Sequence, residues 1–359
     1  MGILQFEGSN VILKYSSYIT CVGTPGKDEK VTIYFRKAPD ENKIEYPCAT
    51  FNMQKDYACF ESIAFSIWSE YPKCHINLKY DPYVWNGEIS GLKDDENARN
   101  PRLLNYMRFL YRAWKMKSLY STRFFIDDMN VKEVENFGIQ YESALKNDNL
   151  VYSGPTKETS VSYKSKLENL IEKYFVLTGI KEESIVSQKE FILRIIVLHD
   201  QLPCSIFYEN EKTRLFSDGY IDLWGVDEIN KQICIFELKE DGNTKLGIIS
   251  ELFFYSCILK DIVEIGKDYK ESTFRGVQKL WGKKCWTISA LFLVPSFYSF
   301  LEEDNRIDRI IDEMNNTADE IIKYGYIKYD QKKMVEDEQR FREDVSKKWK
   351  ILSKNRRQE

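Results

Sequence analysis

The sequence predicts an α/β protein in three parts: an α+β N-terminal module at 1–156, a domain at 157–330 built on a mixed sheet flanked by helices, and a charged C-terminal helix at 331–359. Three observations carry that reading. Beyond residue 188, short apolar runs rich in Ile, Phe and Tyr alternate with longer amphipathic stretches, the pattern of strands and crossover helices. The segment KNDNLVYSGPTKETSVS, at 146–162, is polar and turn-rich and divides the chain. A composition of 43% apolar and 14% aromatic residues over 359 supplies ample material for packed cores.

In the first module NVILKY, KVTIYFR and HINLKY have the β-branched and aromatic content of short strands. ACFESIAFSIWSEY and PRLLNYMRFLYRAWKMKSLY read as helices. In the second of these, Leu103, Met107, Leu110 and Trp114 recur at helical spacing behind Pro101 in the first turn. The second part reads as helix (SYKSKLENLIEKYFVL), helix (SQKEFILRIIVLH), short strand (CSIFY), strand (GYIDLWG), strand (QICIFELK) and helix (KLGIISELFFYSCILKDIV). A strand (TISALFLV), a helix over Ser299 to Met314 and a strand (YGYIKY) complete it. From Gln331 the chain is charge-dense, with Phe341, Val345, Trp349 and Leu352 forming an apolar stripe at helical spacing. No internal repeat is visible.

Composition narrows the chemistry. The 52 basic and 56 acidic residues leave a net charge of -4, so a polyanionic partner must be met by local patches. The eight cysteines contain no CxxC pair, and Cys234 and Cys257 fall inside apolar elements as small hydrophobes, which suits a reducing cytoplasm. Only His75 and His199 are present, which leaves little for histidine-based catalysis; His199, ending the FILRIIVLHD run, reads as a helix-capping residue. No apolar run approaches the roughly 20 residues of a membrane span. The N-terminus offers no leader pattern, and Phe6 spoils a myristoylation match.

One constellation carries chemistry. QICIFELK is apolar on both parities, as a central strand must be, until Glu237 and Lys239 emerge together on one face at its end. Burying that pair without purpose is costly, so partners or a metal are expected. In GYIDLWG, Asp222 opposes Ile221 and Leu223, and the turn from Val226 to Lys231 is short enough for a hairpin that sets Asp222 beside Glu237. Two carboxylates make a hard-oxygen site suited to Mg²⁺ or Mn²⁺, with Lys239 placed to stabilise the attacking hydroxide or the charge that develops on phosphorus. The bland alternative is a solvated ion pair between Glu237 and Lys239 at the edge of a sheet. Asp218, the rival aspartate, sits in a Ser-Asp-Gly turn and is better explained by turn chemistry.

This order, strand-Asp, hairpin, strand-Glu-x-Lys, then helix, resembles the PD-(D/E)XK nuclease superfamily over roughly residues 188–294. The resemblance implies a restriction-endonuclease-like mixed sheet and Mg²⁺-dependent cleavage of phosphodiesters. It implies Asp222 and Glu237 as metal ligands and Lys239 as the residue that assists the nucleophile. Glu251 and Tyr255 hold the spacing of the Gln-x-x-x-Tyr element of RecB-like branches, with Glu in place of Gln. Family members also take a Glu from a preceding helix; Glu190 is the first candidate, with Glu168 and Glu172 one helix earlier. Lys283 and Lys284 precede TISALFLV on the approach side that the resemblance implies for nucleic acid.

Further basic groups are Arg108, Arg112 and Lys115, and, at the C-terminus, Lys347, Lys348, Lys350, Lys354, Arg356 and Arg357. DNA is the substrate that the resemblance favours, with a prokaryotic restriction or antiviral defence role by analogy. The alternative is a non-catalytic nucleic-acid-binding or assembly protein that keeps the fold. The first module matches no motif and is left as the place for a protein partner or a second copy of the chain.

Overall fold

A computed structural model describes residues 2–5, 12–15, 18–40, 43–50, 53, 59–85, 87–93, 100–152, 166–180, 198–209, 213–216, 219–242, 246–265, 280, 283, 286–317, 319–336 and 338–356. The fold is mixed α/β, with two mixed sheets flanked by helices. The first sheet is formed by β1 (Ile19–Val22), β2 (Lys30–Phe35), β3 (His75–Tyr80) and β4 (Phe124–Ile126). β1 and β2 are antiparallel, and β2, β3 and β4 run parallel. One face of this sheet, carrying Val31, Ile33, Phe35, Ile76 and Leu78, is fully buried. It is covered by α1 (Phe60–Glu70) and α2 (Pro101–Leu119), whose Phe60 and Phe109 rings pack edge-on against Phe35. Pro101 opens α2 as expected, and the Asn100 side chain caps it by accepting from the backbone N–H groups of Arg102 and Leu103 at 3.0 and 3.4 Å. A further helix, α3 (Val131–Lys146), presses so closely on α2 that a Cβ at Gly138 would lie 2.3 Å from Trp114.

The second sheet follows α4 (Lys166–Thr178) and has the order β5 (Leu198–Pro203), β6 (Tyr220–Asp227), β7 (Gln232–Leu238), β8 (Thr287–Val294), β9 (Ile322–Lys328). β5, β6 and β7 form an antiparallel meander, and β7, β8 and β9 are parallel. The crossovers are α5 (Gly247–Ile265) and α6 (Arg306–Asn315). Cys234, Phe236 and Leu238 look into a smaller core closed by α4 and by α7 (Glu338–Arg356), where the expected stripe residues Phe341 and Val345 are buried and Phe341 meets Tyr174. Ile233 and Ile235 look into the main core.

Some expectations are corrected. His199 does not end a helix; it lies in edge strand β5, paired with Trp224 and tilted over its indole at 4.7 Å between ring centroids. Extended backbone there satisfies the ladder that a helix end would leave open. Of the predicted helix over 187–199, residues 187–197 lie outside the described residues and Leu198 and His199 are in β5. Among the described residues no helix is long and apolar enough to cross a membrane.

Although the sequence shows no repeat, the connectivity repeats: each sheet contains a hairpin followed by two parallel crossover strands, to which the second adds the edge strand β5. The first crossover helices of the two halves, α1 and α5, meet at Ser62 and Ser250. Their hydroxyls lie 2.8 Å apart, and each accepts from the other's backbone N–H, at 3.1 and 3.3 Å. One hydrophobic cluster runs through both halves, from Ile19 to Tyr324.

Buried charge reinforces the seam. Glu61 and Arg112 form a bidentate pair at 0% and 2% exposure, and Glu61 also accepts from Ser250 Oγ at 2.9 Å. On α5, Asp261 accepts from Tyr111 and Tyr141 hydroxyls at 2.6 and 3.1 Å and from Lys115 Nζ at 2.8 Å. Arg112 and Lys115, which the sequence offers either as phosphate contacts or as a solvated basic face, are instead internal ties. Arg108 is buried too, with its guanidinium 5.7 Å from the Phe254 ring.

Candidate active site

The expected hairpin is present. β6 and β7 pair through Leu223–Phe236 to Asp227–Gln232, and the turn is stapled by the Asp227 carboxylate, which accepts from the backbone N–H of Ile229 and Asn230 at 3.0 and 3.1 Å. At the other end of the hairpin Asp222 extends the ladder with its side chain: Oδ2 accepts from the backbone N–H of Leu238 at 2.9 Å. That bond lays the carboxylate against the segment between Glu237 and Lys239.

Lys239 is held by its own backbone, whose N–H donates to Leu293 O at 3.0 Å and whose carbonyl accepts from Tyr329 OH at 2.8 Å. Its ammonium contacts Glu237 directly and lies 3.4 Å from Glu251 and 3.9 Å from Glu168. Tyr255 donates toward Glu251 at 3.5 Å, and Gly219 leaves room for it, since a Cβ there would stand 3.1 Å from the ring.

The structure thus brings together Asp222, Glu237, Lys239, Glu251, Tyr255 and Glu168, all 8% exposed or less. Of the three upstream acids, Glu168 faces the ammonium, whereas Glu172 accepts from Gln201 Nε2 at 3.0 and 3.2 Å. Glu190, Asp218 and Lys284 lie outside the described residues. Lys283 does not join the cluster. Because β7 and β8 are parallel, Lys283, ahead of β8, sits at the opposite end of the sheet from Glu237, bound to Glu228 at 2.7 Å and 3.9 Å from the Trp286 ring centroid. Tyr329 had no local signal in the sequence; only the parallel docking of β9 brings it to Lys239.

Electrostatics at this strand end are lopsided. Burial, followed by the neighbouring carboxylates of Asp222 and Glu251, pushes the Glu237 carboxyl well above its ordinary range, against the opposing pull of Lys239. Burial alone would lower Lys239, but Glu237, Glu251, Asp222 and Glu168 together raise it, so it remains an ammonium. Among the described residues the Lys239 ammonium is approached by the Glu237, Glu251 and Glu168 carboxylates, with Asp222 beside them, and Glu237 Oε2 is buried without a hydrogen-bond partner. The residues that could hold a divalent cation here are Asp222 and Glu237, through their carboxylate oxygens. Among the described residues no group of three or more His, Cys, Asp or Glu side chains is arranged as a metal cluster, so any ion here would complete its shell with water or substrate oxygens.

The first sheet has no counterpart. Aligning the strand starts Lys30 and Gln232 puts Phe35 where Glu237 stands, and its partner Ile19 where Asp222 stands, both buried in the core. No family model, curated protein or solved structure matches the chain.

Proposed function

We propose that the chain is a metal-dependent nuclease of the PD-(D/E)XK type that hydrolyses phosphodiesters, with DNA the favoured substrate and restriction or antiviral defence the role suggested by analogy. The observation that carries this is the convergence of Asp222, Glu237 and Lys239 where β6 and β7 leave the core. A helix, an antiparallel three-strand meander, a helix and a parallel strand in that order support a restriction-endonuclease-like core.

Asp222 and Glu237 would hold Mg²⁺ or Mn²⁺, which when bound lowers the pKa of a coordinated water and neutralises phosphate charge. Lys239, kept protonated by its carboxylate neighbours, is a charge stabiliser rather than a general base. Glu251 and Glu168 position that ammonium, and Tyr255 steadies Glu251. In the reaction a water oxygen bonds to phosphorus and gives up a proton to solvent as the ester P–O bond breaks, and the departing oxygen takes up a proton from solvent.

Incubating supercoiled plasmid and linear DNA with the protein in Mg²⁺ or Mn²⁺ tests the reading. Cleavage by wild type, its loss in EDTA and its loss in Asp222→Ala are expected; cleavage that persists in EDTA would refute it. The non-catalytic alternative is favoured by one feature, the near-complete burial of the whole cluster, and a folded wild type inert toward both DNAs would select it.

A divalent ion should also stabilise the fold. Glu237 has a folded pKa above its unfolded value, so its contribution to stability is full below the unfolded value and is lost as pH rises through the folded one. An ionised Glu237 therefore weakens the protein as pH rises. Mg²⁺ at ten times its dissociation constant should return about 1.4 kcal/mol. Thermal melts with and without Mg²⁺ at pH 7.5 check this, and Asp222→Asn should abolish the shift.

A further inference from the structure

The outer face of the first sheet is open: Lys30 and Phe125 are exposed, and Thr32, Tyr34, His75 and Lys79 are half-buried. Two rings stand on it. Tyr34 pairs with Lys79 across β2 and β3, and Asn77 with Phe125 across β3 and β4, so the two aromatic positions are about 12 Å apart by strand spacing and rise.

Cations flank both rings. Lys79 Nζ and Arg36 Cζ lie 5.2 and 5.5 Å from the Tyr34 centroid, and Lys30 Nζ lies 6.0 Å from that of Phe125, which also meets His75 edge-on at 5.4 Å. None of Lys30, Arg36 and Lys79 has a carboxylate partner among the described residues.

Three nearby acids accept hydrogen bonds from the protein itself. Asp81 accepts from Tyr34 OH and Lys37 N–H, each at 2.7 Å; Asp127 accepts from Asn77 Nδ2 at 3.0 Å and Met129 N–H at 3.2 Å; Asp28 accepts from Thr24 N–H at 2.6 Å. Among the described residues Glu29, 86% exposed, approaches His75 at 4.0 Å. Among the described residues the face therefore offers three cations without a carboxylate partner beside its π-surfaces, while Asp81, Asp127 and Asp28 are turned toward its own hydroxyl, amide and backbone N–H donors and Glu29 stands exposed at its edge.

We infer that this face is a binding platform for single-stranded nucleic acid, with Tyr34 and Phe125 each stacking a base and Lys30, Arg36 and Lys79 meeting the flanking phosphates. Duplex fits it poorly, because paired bases do not expose their faces to a flat sheet. The inference rests on the surface of the first sheet alone, not on the catalytic assignment.

The test is fluorescence anisotropy in EDTA with the full-length protein and labelled oligo(dT), oligo(U) and a duplex of equal length. The two single-strand arms distinguish DNA from RNA as the source of the same chemistry. Wild type should bind a single strand at least tenfold more tightly than duplex, and the double variant Tyr34→Ala/Phe125→Ala, its fold checked by circular dichroism, should lose at least tenfold of that affinity. Lys79→Gln should flatten the dependence of log affinity on log salt by about 0.7. Equal affinity of the double variant and wild type, equal binding of duplex, or a face that captures only protein would overturn the platform. Binding without cleavage would count against the nuclease alone, and cleavage with unchanged binding in the double variant would count against the platform alone.

Discussion

Lys239→Ala is expected to lower the single-turnover rate of DNA cleavage by about 10²–10³-fold, the usual effect of removing one preorganised charge from a transition state. The ammonium lies between Glu237, Glu251 and Glu168, so the same change also leaves buried carboxylates uncompensated. The variant should therefore melt lower than wild type at neutral pH. With the cation gone the Glu237 pKa rises further, so the deficit should shrink as pH falls and that carboxyl takes up its proton. A rate profile and melts at two pH values separate the two effects: a lost rate with a recoverable fold is the signature of a charge stabiliser. Equal cleavage by both proteins would remove Lys239 from the chemistry.

Arg112→Ala is expected to cost about 3–5 kcal/mol of folding free energy, because it strands the Glu61 carboxylate in a site that is 0% exposed. The double variant Arg112→Met/Glu61→Leu should recover most of that loss, since an apolar pair of similar size leaves no unpaired charge. Urea unfolding followed by fluorescence reads both. As Ser250 ties Glu61 to α5, the loss should appear as one shifted transition spanning both halves, not as early melting of one. A change below about 1 kcal/mol would mean that the pair is solvated in solution.

Much of this was legible beforehand for local reasons. The alternation of QICIFELK, broken only at Glu237 and Lys239, marks a strand that leaves a core covered on both faces, and the structure buries both parities. The short turn after GYIDLWG forces the hairpin, and the i, i+4 spacing of Glu251 and Tyr255 sets both on one side of α5. Elsewhere local pattern misled. The basic residues of α2 look like a solvated face because their acidic partners, Glu61 and Asp261, stand 51 and 146 positions away in sequence. Lys283 looked close to the site because sequence proximity to β8 does not reveal at which end of a parallel strand a residue falls.

By itself the sequence determined six of the nine described strands in the two sheets, the hairpin and the convergence of an aspartate, a glutamate and a lysine at one strand end, since period, turn length and the cost of burying charge act over a few residues; it did not reveal Ile19–Val22, Phe124–Ile126 or Leu198–Pro203. Only the tertiary structure decided that Glu168 rather than Glu172 faces the ammonium, that Tyr329 pins the Lys239 carbonyl, and that both halves share one core. Those outcomes depend on how helices and parallel strands dock across long stretches of chain, and docking is set by the summed packing of distant surfaces that no local pattern encodes.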